Sequence, residues 1–264
     1  MKSKISITLR SSLVQEIDQM IDNLTIRNRS QAIEHLVGRA IAANKHAVIL
    51  AGGPEEKLAL GKSFRMTAKI GSVSLVQHQL RKLRLSGFRS ISIIARKHVL
   101  TGIFEEVKDG SEFGVEIKYV EEKAASGTAD SLRLLQGKVP SQFLVVYGDI
   151  LFDAINLQAL WEEHANSRGI VTVLLTTSSK PSDKGVVVME GRKILEFQQK
   201  PHAASTYLVF SPIFVCSEEI FEYQGSSLEQ HVFPRIAKNG LLVGHVSSQE
   251  EVHIHSLSDL KKMR

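Results

Sequence analysis

Ala47-Val48-Ile49-Leu50-Ala51-Gly52-Gly53 decides how most of this chain is read. Four apolar residues have strand length, and the glycines behind them let a backbone approach a phosphate or a base closely. Further strand-like segments follow at 90–95, 115–120, 143–147, 171–177, 185–189 and 206–210. Helical patterns lie between and after them at 72–86, 100–109, 128–136, 155–166 and 217–223. Such alternation predicts an α/β fold, a largely parallel or mixed sheet flanked by helices. Ser126-Gly127-Thr128-Ala129-Asp130 reads as a turn into a helix whose N-terminus suits an anion. Phe143 to Asp149 reads as an apolar strand ending in Gly-Asp. A carboxylate at the carboxyl end of a central strand is placed to hold Mg²⁺ beside phosphates.

Upstream of Ala47 the pattern is different. Residues 3–9 alternate, with Ile5, Ile7 and Leu9 on one face and Lys4, Ser6 and Thr8 on the other, as in a half-buried strand. Leu13, Ile17, Met20, Ile21 and Leu24 then recur at helical spacing, with Ser11 or Ser12 as the cap. After a polar break at 25–29, Ser30 caps a second helix with Ile33, Leu36, Val37, Ala40 and Ile41 on one side. This divides the 264 residues into an amino-terminal domain, 1–44, and a large domain, 46–264.

Composition bounds the rest. The single cysteine, Cys216, rules out an intrachain disulfide and suits a reducing cytoplasm. No apolar run approaches the length that crosses a bilayer, and the amino terminus has no apolar core of a signal peptide. Seven basic and four acidic side chains place +3 of the net +5 within residues 1–45, which suggests a polyanionic partner for that segment.

A strand-helix-helix of this size buries too little alone, and its strand is an open edge. Two copies that pair their strands solve both problems and expose Lys4, Ser6 and Thr8 as a ribbon that fits a DNA groove. Residues 1 to about 43 resemble the ribbon-helix-helix repressors of the Arc and MetJ type. The resemblance implies a homodimer or higher even oligomer, base reading by Lys4, Ser6 and Thr8, and a phosphate clamp at Arg29 and Ser30.

From Ala47 onward the order of short motifs resembles the sugar-phosphate nucleotidyltransferases, which join a nucleoside triphosphate to a sugar 1-phosphate on a Rossmann-like fold. Leu50-Ala51-Gly52-Gly53 is similar to the opening of the nucleotide loop, and Gly127-Thr128-Ala129 to the segment near the base. Glu122 stands where the family often reads the base. Tyr147-Gly148-Asp149 matches the Gly-Asp whose carboxylate holds the metal. Gly185-Val186-Val187 and Gln199-Lys200-Pro201 match later elements, and His253 to Asp259 occupies the terminal acidic run. The departures fall on the chemistry. The loop continues Pro54-Glu55-Glu56-Lys57 where the family has an arginine, and two carboxylates repel a triphosphate. The second metal carboxylate aligns with His253 and the adjacent glycine with His255.

Together these features favour a DNA-binding transcription regulator whose large domain is catalytically degenerate and senses a nucleotide or nucleotide-sugar or mediates assembly. The alternative is an active Mg²⁺-dependent sugar-1-phosphate nucleotidyltransferase whose amino-terminal arm serves oligomerisation or self-regulation. Lys57, Asp149 and Lys200 would then carry catalysis, with Asp149 and His253 at the metal.

Overall fold

A computed structural model of the chain describes residues 5–43, 45–61, 63–124 and 127–261. The chain separates into two compact units, Met1–Asn44 and Lys45–Arg264.

In the first unit, helices α1 (Ser11–Gln19) and α2 (Arg29–Ala43) are joined by a loop. Asp22 organises that loop: one carboxylate oxygen accepts the N–H groups of Leu24, Thr25 and Ile26, each at 2.8 Å. These bonds and one from the Thr25 hydroxyl hold its carboxyl well below the usual range. The cap of α2 is Asn28, whose Oδ1 accepts from Gln31 N–H at 3.0 Å, not Ser30. Asn28 wins because its side chain reaches the N–H three residues on from just outside the helix. Residues 5–10 form no strand, so the half-buried ribbon expected there is not seen; a lone strand has no ladder to complete. Ser6 and Thr8 are exposed, and Lys4 lies outside the described residues. Among residues 5–38 only Ile17 and Ala32 are buried, while Ile5, Ile7, Leu24 and Val37 are exposed.

The second unit is a nine-stranded mixed sheet. Its strands are β1 (His46–Leu50), β2 (Ser90–Ala95), β3 (Glu116–Glu121), β4 (Gln142–Tyr147), β5 (Val171–Thr177), β6 (Gly185–Glu190), β7 (Lys193–Gln199), β8 (Leu208–Ser217) and β9 (Leu242–Val246). Their order is β5-β9-β7-β6-β8-β4-β1-β2-β3. The half from β4 to β3 is parallel, and β8 joins it antiparallel. Side chains alternate across the sheet, so Ala47 and Ile49 enter one core cluster and Val48 and Leu50 the other. The first cluster is covered by α4 (Leu75–Leu85), α5 (Lys97–Val107) and α7 (Leu157–Ala165); the second by α6 (Thr128–Arg133) and α8 (Phe233–Lys238). Burial on both faces explains why β1 is a continuous apolar run. No helix among the described residues is long and apolar enough to cross a membrane.

Candidate functional site

The carboxyl ends of β1 and β4 lie side by side, with Leu50 opposite Tyr147. Gly148 N–H donates to Leu50 C=O at 2.8 Å and Ala51 N–H to Ile94 C=O at 2.9 Å, so both chains leave the sheet together. A cavity of about 390 Å³ opens above them. Leu50, Ala51, Gly52, Gly53, Lys57, Glu122, Gly127, Thr128 and Asp149, singled out from the sequence, all line it. A second cavity of about 460 Å³ contains Lys184, Gln199, Lys200, His253 and His255. Tyr147 and Asp149 line both, so Asp149 stands at the junction.

Glycine at position 52 is required by close approach. A Cβ there would lie 2.6 Å from a Glu122 oxygen. Glu122 is buried, accepts from Gly53 N–H at 2.8 Å and from the Ser131 hydroxyl, and has Arg96 Nε at 3.8 Å. Its two oxygens thus tie the glycine turn to α6. Gly127 has φ +151°, and a Cβ on it would meet the Ser226 carbonyl at 2.4 Å. Thr128 follows, donating to Glu229 at 2.8 Å and accepting from Leu228 N–H at 2.9 Å.

Glu229 was not apparent from the sequence, yet it also accepts from Ser227 at 2.8 Å and from the Tyr147 hydroxyl. Burial, with Glu229 beside it, pushes the Tyr147 phenol well above its ordinary value, so it remains a donor. Gln79 was also missed. It is buried in α4 and donates to the carbonyls of Tyr147 at 3.1 Å and Ile150 at 2.7 Å, fixing the turn that carries Gly148 and Asp149.

The loop after Gly53 differs from the sequence expectation. Pro54 leads into a short helix, α3 (Glu55–Leu58). Lys57 lines the cavity, but Glu55 pairs with His98 at 3.0 Å and neither glutamate is among the lining residues. The helix turns consecutive side chains about 100° apart, so Lys57 can face the cavity while the two glutamates do not line it. Lys57 and Lys200 make no ion pair among the described residues. Lys200 takes a left-handed φ of +48°, its N–H bonded to the Lys184 carbonyl at 2.9 Å.

A guanidinium lines the first cavity from outside the loop, that of Arg65. Its Nη1 is 2.9 Å from Asp149 Oδ2 and 3.0 Å from His255 Nδ1, and His255 Nδ1 is 3.5 Å from the same oxygen. Burial lowers the proton affinity of the His255 imidazole, which suits Nδ1 as an acceptor. His253 stacks on His255 with ring centroids 5.2 Å apart, and its Nε2 is 2.9 Å from Glu251 Oε1. Burial pushes the Glu251 carboxyl up, but bonds from His253 and Ser211 outweigh it and hold the carboxyl low. No group of three histidine, cysteine or carboxylate side chains among the described residues is arranged to hold a metal.

These features, a glycine turn, a carboxylate at a strand end and two adjoining cavities, accompany a match of residues 46–235 to the nucleotidyl transferase family. The chain belongs to that family. It is 28% identical over 210 residues to a mannose-1-phosphate guanylyltransferase of Mycobacterium tuberculosis, covering 74% of this chain and 56% of the relative. A mannose-1-phosphate guanyltransferase of Aspergillus oryzae is 26% identical over 212 residues, 74% of this chain and 57% of that one. A UTP–glucose-1-phosphate uridylyltransferase of Synechocystis is 30% identical over 189 residues, 63% of this chain and 48% of that one. The chain thus spans about half the length of these relatives. The fold is shared with a crystal structure designated a glucose-1-phosphate thymidylyltransferase, from Bacillus anthracis, with TM-score 0.75 and 23% identity over 83% of this chain and 93% of that one.

Family membership overturns the expected DNA-binding transcription regulator, since the relatives are sugar-phosphate nucleotidyltransferases. Arg29, expected to clamp a phosphate, is paired within its own unit. Its guanidinium is engaged with both oxygens of Asp18, at 2.6 and 2.7 Å, a fork that satisfies the carboxylate within the unit.

Proposed function

We propose that this chain transfers a nucleotidyl group from a nucleoside triphosphate to a sugar 1-phosphate. The observation that carries the reading is the pair of cavities meeting at Asp149, one behind the glycine turn and one lined by Lys184 and Lys200. In this reading the triphosphate lies along Gly52 and Gly53, and the sugar phosphate lies against the two lysines. A sugar-phosphate oxygen bonds to the α-phosphorus, the α–β bridging bond breaks, and pyrophosphate leaves. Such transfer depends on positioning and on cations that neutralise developing charge. Lys57 and Arg65 supply that charge on the leaving side, Lys184 and Lys200 on the attacking side. Asp149 positions Arg65 between them. Glu122 and Glu229 position the walls of the base pocket.

The names of the relatives make GTP with mannose 1-phosphate the first pair to test. Pyrophosphate release is measured across the common triphosphates and hexose 1-phosphates. Turnover with one pair, abolished by Asp149→Asn, is expected; no release from any pair would sink the reading. The amino-terminal unit, with its exposed apolar side chains, is read as an arm through which copies of the chain associate.

A further inference from the structure

Mg²⁺, the ion the family resemblance implies, does not fit the residues at this junction. It seeks oxygen ligands at about 2.0–2.1 Å in near-octahedral array. Asp149 Oδ2 already accepts the Arg65 guanidinium at 2.9 Å, with the His255 ring 3.5 Å away. The place of a second carboxylate is taken by His253, an imidazole tied back to Glu251. One free carboxylate oxygen remains, beside a fixed positive charge that repels a divalent ion at this range.

Arg65 itself is well held. It opens a short 3₁₀ turn, Arg65–Thr67, closed by Phe64 N–H donating to the Thr67 hydroxyl at 3.2 Å. Its side chain is 19% exposed and lines the first cavity. One nitrogen serves both Asp149 and His255, while Nε is buried with no hydrogen-bond partner. A guanidinium whose donors are only partly used, at a cavity wall, is suited to a phosphate oxygen, to which it presents a planar fork.

We propose that the Arg65–Asp149–His255 assembly stands in for the divalent metal and binds nucleotide phosphate without it. Asp149 and His255 act as positioning residues that aim the guanidinium, and Arg65 is the group that touches phosphate. The inference rests on reading this site as a nucleotidyl transferase site.

The full chain is titrated calorimetrically with GTP, ATP, UTP, CTP, dTTP and inorganic pyrophosphate, each in excess EDTA and in excess Mg²⁺. For the ligands that bind, affinities in the two buffers are expected to differ by less than about tenfold. Arg65→Ala is expected to weaken binding in EDTA by more than about tenfold, or 1.4 kcal/mol. Should that variant fail to fold, Arg65→Lys, which keeps the charge and loses the fork, is expected to bind more weakly than the parent and still without need of Mg²⁺. A requirement for Mg²⁺ beyond tenfold, or affinity in EDTA unchanged on replacing Arg65, overturns the inference and leaves the transferase reading intact. No binding of any of these ligands in either buffer overturns both.

Discussion

Thr128 donates its hydroxyl to Glu229 at 2.8 Å, joining residues 101 positions apart at one wall of the first cavity. Ser227 and Tyr147 donate to the same carboxylate, so three hydroxyls converge on one buried group. Glu229→Ala leaves them without an acceptor in a site water reaches poorly. Each orphaned buried group costs roughly 1–3 kcal/mol, so for three hydroxyls an overall loss of at least about 3 kcal/mol is expected. Glu229→Gln, which keeps one acceptor, should lose less. Urea unfolding of both variants reads this, and equal stability of Glu229→Ala and the parent would refute the arrangement.

The glycine turn offers a test of close approach. Gly52→Ala forces a methyl group against the Glu122 carboxylate, and Gly127→Ala combines a left-handed φ with collision against the Ser226 backbone. The first contact is with a side chain held by Gly53 and Ser131, so Gly52→Ala is expected to fold yet lose triphosphate affinity by more than about tenfold, a 1.4 kcal/mol effect. Gly127→Ala meets backbone and should lower the melting temperature as well. Calorimetry together with thermal melts separates the two.

Much of this was legible in the sequence because β1 and β4 each carry an unbroken run of four apolar residues, and β2 and β5 are rich in β-branched and aliphatic residues. β7 was not recognised, and the reason is local. The register between β6 and β7 shifts by one residue between Val188 and Met189, so Ile194 and Phe197 are buried while Leu195, between them, is exposed. A bulge breaks the two-residue period that identifies a strand. The first cavity was legible through its glycines. The roles of Glu229 and Gln79 were not, since they depend on contacts across many residues. The pairing of Arg65 with Asp149, 84 positions apart, belongs to the fold. In the amino-terminal unit the alternation of residues 3–9 suggested a strand, but alternation describes side chains and does not supply a partner for the backbone.

Two buried histidines make the fold sensitive to acid. His46 lies between the Ser90 and Ser92 hydroxyls, at 3.0 and 3.1 Å, and His164 between Thr172 and Ser217, at 3.0 and 3.2 Å. Burial lowers each imidazole from 6.5 to about 4. Above pH 6.5 both are neutral in folded and unfolded chains and their contribution is fully present. As pH falls from 6.5 towards 4 the unfolded chain takes up protons that the folded chain refuses, so stability declines; below 4 the effect levels off. At about 1.4 kcal/mol per pKa unit, each histidine contributes roughly 3 kcal/mol across that window. Urea melts at pH 7.5, 6, 5 and 4, read by the relation of midpoint to pH as about 1 kcal/mol or more lost per unit, check this; a flat profile between pH 6.5 and 4 would contradict the burial of both rings.

Gln79 gives the most direct test that the Gly148–Asp149 turn is held from behind. Its amide donates to the Tyr147 and Ile150 carbonyls, which flank the turn, and it reaches neither cavity wall. Gln79→Met preserves length and removes both donors. Two buried carbonyls then lack a partner, at roughly 1–3 kcal/mol each, and the melting temperature should fall. The more telling readout is kinetic. If the side chain only filled space, kcat and KM would be unchanged once the protein is folded. If it sets the height of Asp149 at the junction, kcat should drop by about tenfold, because a displacement of even an ångström at a reacting centre costs rate. KM should move little, since the groups facing the substrates are untouched. Pyrophosphate release below the melting temperature of the variant distinguishes the two, and an unaltered kcat would show that Gln79 does not set the position of Asp149.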